Sequence, residues 1–409
     1  MEFHRRYFPV ARLVLQRGVG QLLVFFSTLY AARLVDPSTY GALGLFTSSC
    51  SFFAMASSLR FETRSLVARG GRAKEKLIGL SYLANLAFLL LGSILASVGF
   101  MAGYAGAWVL LVPIGAVLTS LMLYVVPAQR SSQSELSSLG VMTQSSACGT
   151  AILQLLVAWV VPSALPLMAS RLVAWSLGLA TVFRSIRSGL LSASHVKLRE
   201  ARRLYRTSAH EIFFGGAASL ISVAELQAAV FVFGYFSLKH EVGLYWFAFN
   251  LLFVPYLVVS GAIRPLFTAT ISRRRSESGL RAVLARYTLL SAAAGFAFVA
   301  FVVPLVFVVV EYFLDSKWQG ADIFSMYIGV TLITTIAKTP ISMAASALGM
   351  QRFNLFSGAI QLMIRGATLA LPLSLGVSPY VSVLFMSAAV AASHLIHIWS
   401  SLAVIGRRG

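Results

Sequence analysis

Residues 77–126 read LIGLSYLANLAFLLLGSILASVGFMAGYAGAWVLLVPIGAVLTSLMLYVV, a stretch without a single Asp, Glu, Lys or Arg. A helix rises about 1.5 Å per residue and the hydrocarbon core of a bilayer is about 30 Å thick, so a spanning helix needs about 20 apolar residues. This stretch is therefore long enough for two crossings, which we predict at 77–100 and 106–126. Such a hairpin indicates a helical integral membrane protein.

The composition of the whole chain agrees with this interpretation. Of its 409 residues, 58% are hydrophobic and 11% are charged, whereas about a quarter of the residues of a soluble domain are charged. A soluble enzyme and a secreted domain are thereby excluded. Cys50 and Cys148 both fall in apolar stretches, so neither a disulfide framework nor a thiolate metal site is expected.

Apolar runs of spanning length recur along the chain, which predicts an all-α membrane protein with about twelve transmembrane helices. The predicted spans are 14–34, 41–59, 77–100, 106–126, 140–161, 166–183, 212–237, 242–263, 286–310, 323–346, 353–375 and 379–403.

The formal net charge of +20 is explained by topology. Arginines and lysines gather at both ends of the chain and in the loops after even-numbered spans, as in 69–76 and 273–275, whereas the other loops hold little more than Arg33, Lys239 and Lys317. By the positive-inside rule, both termini are cytoplasmic. The basic loops are expected to touch anionic membrane lipids, and no nucleic-acid partner is expected.

Two outer turns of the predicted topology resemble each other and indicate a duplication. VDPSTYGAL at 35–43 and SLKHEVGLY at 237–245 each place an acid before a glycine and lead directly into a span. Gln129-Arg130 and Gln351-Arg352 correspond at the inner ends of spans four and ten. We therefore expect the first span to be retained, because it has a counterpart in the second half. Parallel repeats of this kind are known in transporters.

The duplication predicts a domain plan. Residues 1–183 form an N-terminal six-helix bundle, 184–211 a basic cytoplasmic linker, and 212–409 a C-terminal six-helix bundle.

Several segments resemble those of a known family. AARLVDPSTYG at 31–41, the hairpin between 233 and 245, SSLRFE at 57–62 and KWQGA at 317–321 are similar to segments of the bacterial polysaccharide repeat-unit flippases. These O-antigen and exopolysaccharide translocases belong to the multidrug/oligosaccharidyl-lipid/polysaccharide exporter superfamily.

The resemblance implies a fold and a function. It implies two six-helix bundles around a central cavity that opens alternately to each side of the bacterial inner membrane. It also implies an undecaprenyl-diphosphate-linked glycan as substrate, outward transport, and a polysaccharide polymerase and assembly proteins as candidate partners.

Five charged residues fall inside predicted spans, where a charge costs at least about 2.5–3.5 kcal/mol and needs a partner or a wet cavity. They are Arg17, Arg171, Glu225, Lys338 and Arg365. Four cations against one anion predict an electropositive, substrate-binding cavity. Such a cavity suits a diphosphate-linked glycan, because Arg offers a planar fork and Lys a point charge to phosphate oxygens.

Alternatives remain for each of these residues. Arg17 and Arg171 lie close enough to a boundary to extend to the headgroups, and Lys338 and Arg365 have a structural ion pair as their alternative. Glu225 is the coupling candidate for H⁺ or Na⁺; it is equally a partner of Lys338 or Arg365, or else a protonated structural carboxyl.

Two amides and two histidines are weaker candidates. Gln227 and Gln361 have the chemistry to bind sugar hydroxyls, although such amides more often join helices. His394 and His397 lie one turn apart on the last span, and without a ligand trio we predict helix packing rather than a metal site or a proton relay.

The loops argue against an enzyme. The outer loops are too short to present acid, base or nucleophile groups, and the inner loops lack a phosphate-binding Gly-rich motif followed by Lys-Ser or Lys-Thr. No catalytic residue and no cofactor is predicted. The two alternatives to the flippase are a multidrug exporter of the same superfamily and a membrane glycan-assembly enzyme or scaffold.

Overall fold

In the computed structural model, the chain divides into two compact units. The first comprises Met1–Val35 and Ala42–Val223, and the second Asp36–Gly41 and Ala224–Gly409. The backbone is described for residues 2–67, 71–103, 106–130, 136–194, 196, 198–273, 280–348 and 350–406. Side chains are described for 18–62, 64–65, 71–103, 106–130, 138–194, 196, 199–200, 202–206, 213–256, 280–345, 348, 350 and 352–405.

The first unit is built from α-helices, with no strand among its described residues. They are α1 (Glu2–Leu34), most of α2 (Pro37–Ser57), α3 (Phe61–Val67), α4 (Gly71–Met101), α5 (Val112–Ser120), α6 (Val126–Gln129), α7 (Leu136–Val160), α8 (Ala164–Ala180), α9 (Phe183–Ser194) and the first part of α10 (Leu198–Tyr235). A 3₁₀ turn (Ala107–Leu111) precedes α5, and a π-helical turn (Leu121–Val125) joins α5 to α6.

The second unit is helical in the same way. It contains the end of α10 together with α11 (Lys239–Arg273), α12 (Leu280–Val308), α13 (Ala321–Ala347), α14 (Gln351–Ser374) and α15 (Pro379–Gly406). Between α12 and α13 lie a π-helical turn (Val309–Phe313) and a 3₁₀ turn (Ser316–Trp318). Helix α13 packs against α11, α12 and α15, and α14 packs against α15.

Each predicted span lies mostly on helical backbone, although several extend one or two residues into a turn. Fewer helices are long and apolar enough to cross a membrane. Among the described residues, 8 helices are long and apolar enough, and a ninth counts if α8 and α9, bent by 82°, form one span. The described apolar part of α1 is the short stretch Gly18–Leu34. The all-helical membrane fold is confirmed, and the number twelve stays a prediction.

The outer surfaces of several helices are strongly apolar. Leu95 of α4, Phe301 of α12 and Trp399 of α15 are each more than 70% exposed. Large exposed apolar side chains mark a surface that water does not cover. This is the surface that a multi-pass membrane protein presents to lipid.

Small residues let the helices of the first unit approach closely. A Cβ on Gly20 of α1 would lie 3.0 Å from that of Ala147 on α7, and a Cβ on Gly178 of α8 would lie 2.9 Å from the Met142 carbonyl oxygen. Close approach at small residues is how helices pack in membranes, where lipid removes the hydrophobic drive between them.

The predicted linker, 184–211, is mostly helical. It falls on α9 and the first turns of α10, and α9 packs on α4. A Cβ on Gly189 would lie 2.1 Å from a ring carbon of Tyr82, so this glycine leaves room for the tyrosine ring. The linker and the domain boundaries drawn from the sequence stay predictions.

Residues 36–41, which open α2, belong to the second unit. Tyr40 packs edge-on against Trp318, with ring centroids 5.6 Å apart, and against Phe247 at 6.2 Å. Lys317 Nζ lies 3.5 Å from carboxylate oxygens of both Asp36 and Asp315. Aromatic packing and one bridging lysine thus hold the turn in place.

Candidate substrate-binding and coupling site

A cluster of ionisable side chains lies inside the second unit, around Glu225 of α10. The Glu225 Oε1 atom is 3.6 Å from Arg365 Nη2, 4.0 Å from Lys338 Nζ and 3.5 Å from His394 Nε2. These partners come from α14, α13 and α15, so four helices meet at one carboxylate oxygen. We call these four residues the Glu225 cluster.

The cluster lies deep in the helices that carry it. Glu225 precedes the end of α10, and Arg365 the end of α14, by nine or ten residues, which is about 15 Å of helix and so about half the thickness of the hydrocarbon core. The side chains are only 13% exposed for Glu225, 16% for Lys338 and 6% for Arg365. Ions at this depth need partners, and Glu225 provides one to both cations.

Arg365 is incompletely paired. A guanidinium carries five N–H donors, yet Glu225 is the one ion-pair partner of Arg365 among the described residues. The buried Nε atom of Arg365 has no hydrogen-bond partner among these residues. A buried donor without a partner costs about 1–3 kcal/mol, and more where the group is charged. Arg365 therefore has capacity for a further anionic or carbonyl oxygen.

Lys338 is positioned by a chain of hydrogen bonds. Its Nζ donates to Gln361 Oε1 (2.7 Å), and Gln361 Nε2 donates to Ser357 Oγ (3.3 Å). Ser357 Oγ lies 2.5 Å from His397 Nδ1. Either atom of this last pair can be the donor, depending on the tautomer of His397, and the chain orients all four side chains.

His394 has a different hydroxyl partner. Thr334 Oγ1 of α13 is 3.0 Å from His394 Nδ1 and 2.9 Å from the carbonyl oxygen of Thr331. The imidazole therefore lies between the threonine on one side and Glu225 on the other. Its Nε2 is buried and makes no hydrogen bond of good geometry to any described residue.

The described residues contain no group of three His, Cys, Asp or Glu side chains suited to a metal ion. Around Glu225 Oε1 the neighbouring polar atoms are nitrogens, whereas hard cations prefer shells of oxygen ligands. The chemistry that this arrangement supports is anion binding and proton exchange.

Comparison with known families identifies the group to which the chain belongs. The family model described as "Polysaccharide biosynthesis protein" matches residues 31–322, which is well over half of the chain. The chain belongs to this family. Among curated proteins, none matches the sequence significantly.

Solved structures of membrane transport proteins share the fold of this chain. A structure titled "Lipid II flippase MurJ, inward closed conformation" has a TM-score of 0.68 at 13% identity, over 96% of this chain and 89% of that one. An inward-facing multidrug resistance MATE family transporter of the MOP superfamily has a TM-score of 0.62 at 11% identity, over 96% of this chain and 98% of that one.

A third structure, the MATE multidrug transporter DinF-BH in complex with R6G, has a TM-score of 0.61 at 12% identity, over 98% of this chain and 94% of that one. At such identities the likeness concerns the fold alone. The fold class and the family resemblance predicted from the sequence are confirmed, and these structures are of transporters or a flippase rather than of enzymes.

In this family member, the structure brings together three of the five predicted intramembrane charges: Glu225, Lys338 and Arg365. Gln361 joins them through Lys338. Gln227 is buried on α10, 6% exposed. The roles of these residues in binding and coupling stay predictions.

The other two predicted charges lie in the first unit. Arg171 of α8 donates to Thr47 Oγ1 (3.0 Å) on α2 and to Gln154 Oε1 (3.4 Å) on α7, contacts that join three helices. Arg17 lies in α1, but its side chain is outside the described residues.

Four polar residues of the site were not predicted as functional: Thr334, Ser357, His394 and His397. The histidines do pack between helices as predicted, but both also have hydroxyl partners. A signal was present in the sequence, because Ser357, Gln361 and Arg365 are spaced by four residues and so share one face of α14. Thr334 and Lys338 have the same spacing on α13.

Proposed function

We propose that this protein is a flippase. It carries undecaprenyl-diphosphate-linked oligosaccharide repeat units outward across the bacterial inner membrane by alternating access, with both termini in the cytoplasm and with transport coupled to an ion. The polysaccharide biosynthesis family and the likeness to a lipid II flippase fold support a lipid-linked glycan as the substrate class. A polysaccharide polymerase and assembly proteins are the partners that this role requires.

One observation carries the proposal: Arg365 is 5% exposed and has donors that Glu225 does not use. Arg365 and Lys338 together present a fork and a point charge, the two forms in which proteins hold phosphate oxygens. Glu225 pairs with both cations, and the diphosphate displaces it when it binds.

The charge of the cluster also bears on the multidrug alternative. Two fixed cations face one carboxylate in the Glu225 cluster, so its net charge repels a cationic drug and attracts a diphosphate. We therefore propose the lipid-linked anion rather than a cation as substrate.

The test is the sidedness of the lipid-linked oligosaccharide in cells that lack the protein. We expect untranslocated units to accumulate on the inner face, and complementation with the unaltered gene to restore outward movement. Arg365→Ala and Lys338→Ala should not restore it, although both proteins insert. Arg286→Ala serves as the matched control, because Arg286 is an exposed arginine near the start of α12.

The results that contradict the proposal are specific. Normal outward movement with both Arg365→Ala and Lys338→Ala would remove the anion site. Loss of glycan polymer without accumulation of untranslocated lipid-linked units would instead indicate the glycan-assembly enzyme or scaffold.

A further inference from the structure

The hydroxyl of Thr334 has one proton and two acceptors within reach. One acceptor is the Thr331 carbonyl oxygen at 2.9 Å, and the other is His394 Nδ1 at 3.0 Å. A hydroxyl turns freely to suit its surroundings, so the protonation state of His394 decides which acceptor it uses.

One orientation of this hydroxyl suits neutral His394. Thr334 then donates to Nδ1, and the proton of the imidazole sits on Nε2, whose distance to Glu225 Oε1 is 3.5 Å. In this arrangement no N–H or O–H group of the two side chains points at another donor. The His394 Nε2 atom is then the third nitrogen near the Glu225 carboxylate, beside those of Lys338 and Arg365.

The imidazolium form is accommodated by the other orientation. Nδ1–H now donates to the Thr334 oxygen, while the threonine proton turns to the Thr331 carbonyl. Nε2–H still faces Glu225, and the pair becomes an ion pair. The same side chains therefore satisfy two states that differ by one proton, without movement of the backbone.

His397 offers a contrast within the same helix. Ser357 already accepts from Gln361, and its proton has no described acceptor other than His397 Nδ1. A second proton on His397 would leave the serine proton without a partner among the described residues. The capacity to exchange a proton thus belongs to His394 and not to the neighbouring histidine one turn away.

The ionisable groups around His394 favour a proton exchange that is linked to anion binding. Glu225, Lys338 and Arg365 face it within the cluster. His397 lies beside the cluster on the same helix, and Tyr245 of α11 lies near Arg365. Tyr256, also of α11, is held by Thr339 (3.2 Å). The remaining packed helix, α12, carries Arg281, Arg286 and Tyr287 near its beginning.

Two fixed cations and His394 surround the same carboxylate oxygen of Glu225. A diphosphate on Arg365 and Lys338 would neutralise them and release Glu225 to His394. A carboxylate that loses two cations and an imidazole beside it both bind a proton more readily.

We propose that Glu225, His394 and Thr334 form a proton-binding site that takes up one proton when an anion occupies Arg365 and Lys338. The proton is held between Glu225 Oε1 and His394 Nε2, and the Thr334 hydroxyl rotates to allow it. This inference rests on the proposed function, because it assumes that the anion binds to the cluster. The nitrogen-rich surroundings of Glu225 favour H⁺ over Na⁺ as the ion bound at this carboxylate.

The test is calorimetry of the full-length protein in lipid nanodiscs, with geranyl diphosphate as the probe. Titrations at one pH in two buffers of different ionisation enthalpy give the number of protons taken up for each probe bound. We expect the unaltered protein to take up about one proton more than Glu225→Gln, since the proton count measures the linkage between the two sites. Subtracting the Glu225→Gln value removes protons that the diphosphate itself gains.

Variants of the threonines separate the proton site from general packing. Thr334→Val should lower the proton count, whereas Thr334→Ser, which keeps the hydroxyl, should retain it. Thr335→Val is the matched control, because Thr335 donates to the same Thr331 carbonyl (2.8 Å) without contacting His394. Thermal unfolding of each variant verifies that it is folded.

A spectroscopic measurement covers the case in which Glu225→Gln does not fold. The ¹⁵N resonances of His394, assigned by their absence in His394→Gln, should change from the one-proton to the two-proton pattern when the probe is added. An unchanged pattern in the presence of bound probe would overturn the proton site.

The outcomes distinguish the two proposals. Binding of the probe with equal proton counts in the unaltered protein and Glu225→Gln overturns the proton site and leaves the anion site standing. Absence of probe binding overturns the proposed anion site, and the linked proton site with it.

Discussion

Gly41 and Gly243 lie against each other in the second unit, near the first residues of α2 and α11. A Cβ on Gly41 would be 2.8 Å from the Gly243 nitrogen and 2.3 Å from the Lys239 carbonyl oxygen, and a Cβ on Gly243 would be 1.8 Å from the Pro37 carbonyl oxygen. These are the two glycines that correspond in the proposed duplication. The turns that sequence comparison pairs are therefore in direct backbone contact.

Because of this contact, we predict that one added methyl group at Gly243 strongly lowers the stability of the protein. Gly243→Ala should lower the free energy of unfolding by about 3 kcal/mol, the upper end of the usual range for overpacking, because the obstructing atoms are backbone and cannot move aside. The measurement is thermal or denaturant unfolding of the purified protein. Gly99→Ala in α4 is the control, since nothing lies within 4 Å of the added Cβ there; equal stability losses in the two variants would contradict the prediction.

The geometry of Arg365 predicts a graded loss of anion binding. Arg365→Lys keeps the charge but loses the planar fork, so affinity for geranyl diphosphate should fall about tenfold, and Arg365→Ala should lower it about a hundredfold. Calorimetry measures both. Arg286→Ala should bind like the unaltered protein, and equal affinity of the lysine and unaltered proteins would show that the fork is not used.

The sequence was sufficient to predict the charged centre of the site. Glu225, Lys338 and Arg365 stand out because charges at bilayer depth are expensive and therefore rare. The sequence gives the position of a residue along its helix, but it does not show which neighbouring helix the side chain faces. This is why the sequence groups Arg171 with them, although the structure gives it Thr47 and Gln154 as partners.

The polar partners were harder to predict for the same physical reason. Ser357 and Thr334 are common residues in membrane helices, and their significance depends on the histidine opposite, which comes from a distant part of the chain. These contacts depend on how α15 is rotated about its own axis relative to α13 and α14, and no local sequence pattern determines that rotation. The helices themselves were predictable, because apolar length alone determines them.

The linkage between proton and anion predicts a pH dependence with a definite sign. If anion binding takes up a proton, the affinity for geranyl diphosphate must rise as the pH falls. We expect the unaltered protein to bind more tightly at pH 6 than at pH 8, by up to about tenfold per pH unit for one proton. Glu225→Gln should show only the weaker dependence of the probe itself, and an unchanged slope in that variant would contradict the linkage.

Gln361 provides a way to separate charge from packing in the cluster. Its Oε1 accepts from Lys338 at 2.7 Å and its Nε2 donates to Ser357 at 3.3 Å. Gln361→Glu keeps the shape and the contact with Lys338 but adds a second carboxylate beside the cations. We expect this variant to be folded and to bind geranyl diphosphate at least tenfold more weakly, because a permanent anion then competes for the same ammonium group.

Gln361→Leu is the complementary variant, since it removes the polar partner without adding charge. A buried ammonium that loses its acceptor costs about 1–3 kcal/mol, so this protein should be less stable, yet its cationic groups should still bind the diphosphate more tightly than Gln361→Glu does. Unfolding and calorimetry of the pair measure the two effects separately. Should the leucine variant bind more weakly than the glutamate variant, the affinity would depend on the orientation of Lys338 rather than on the net charge of the cluster.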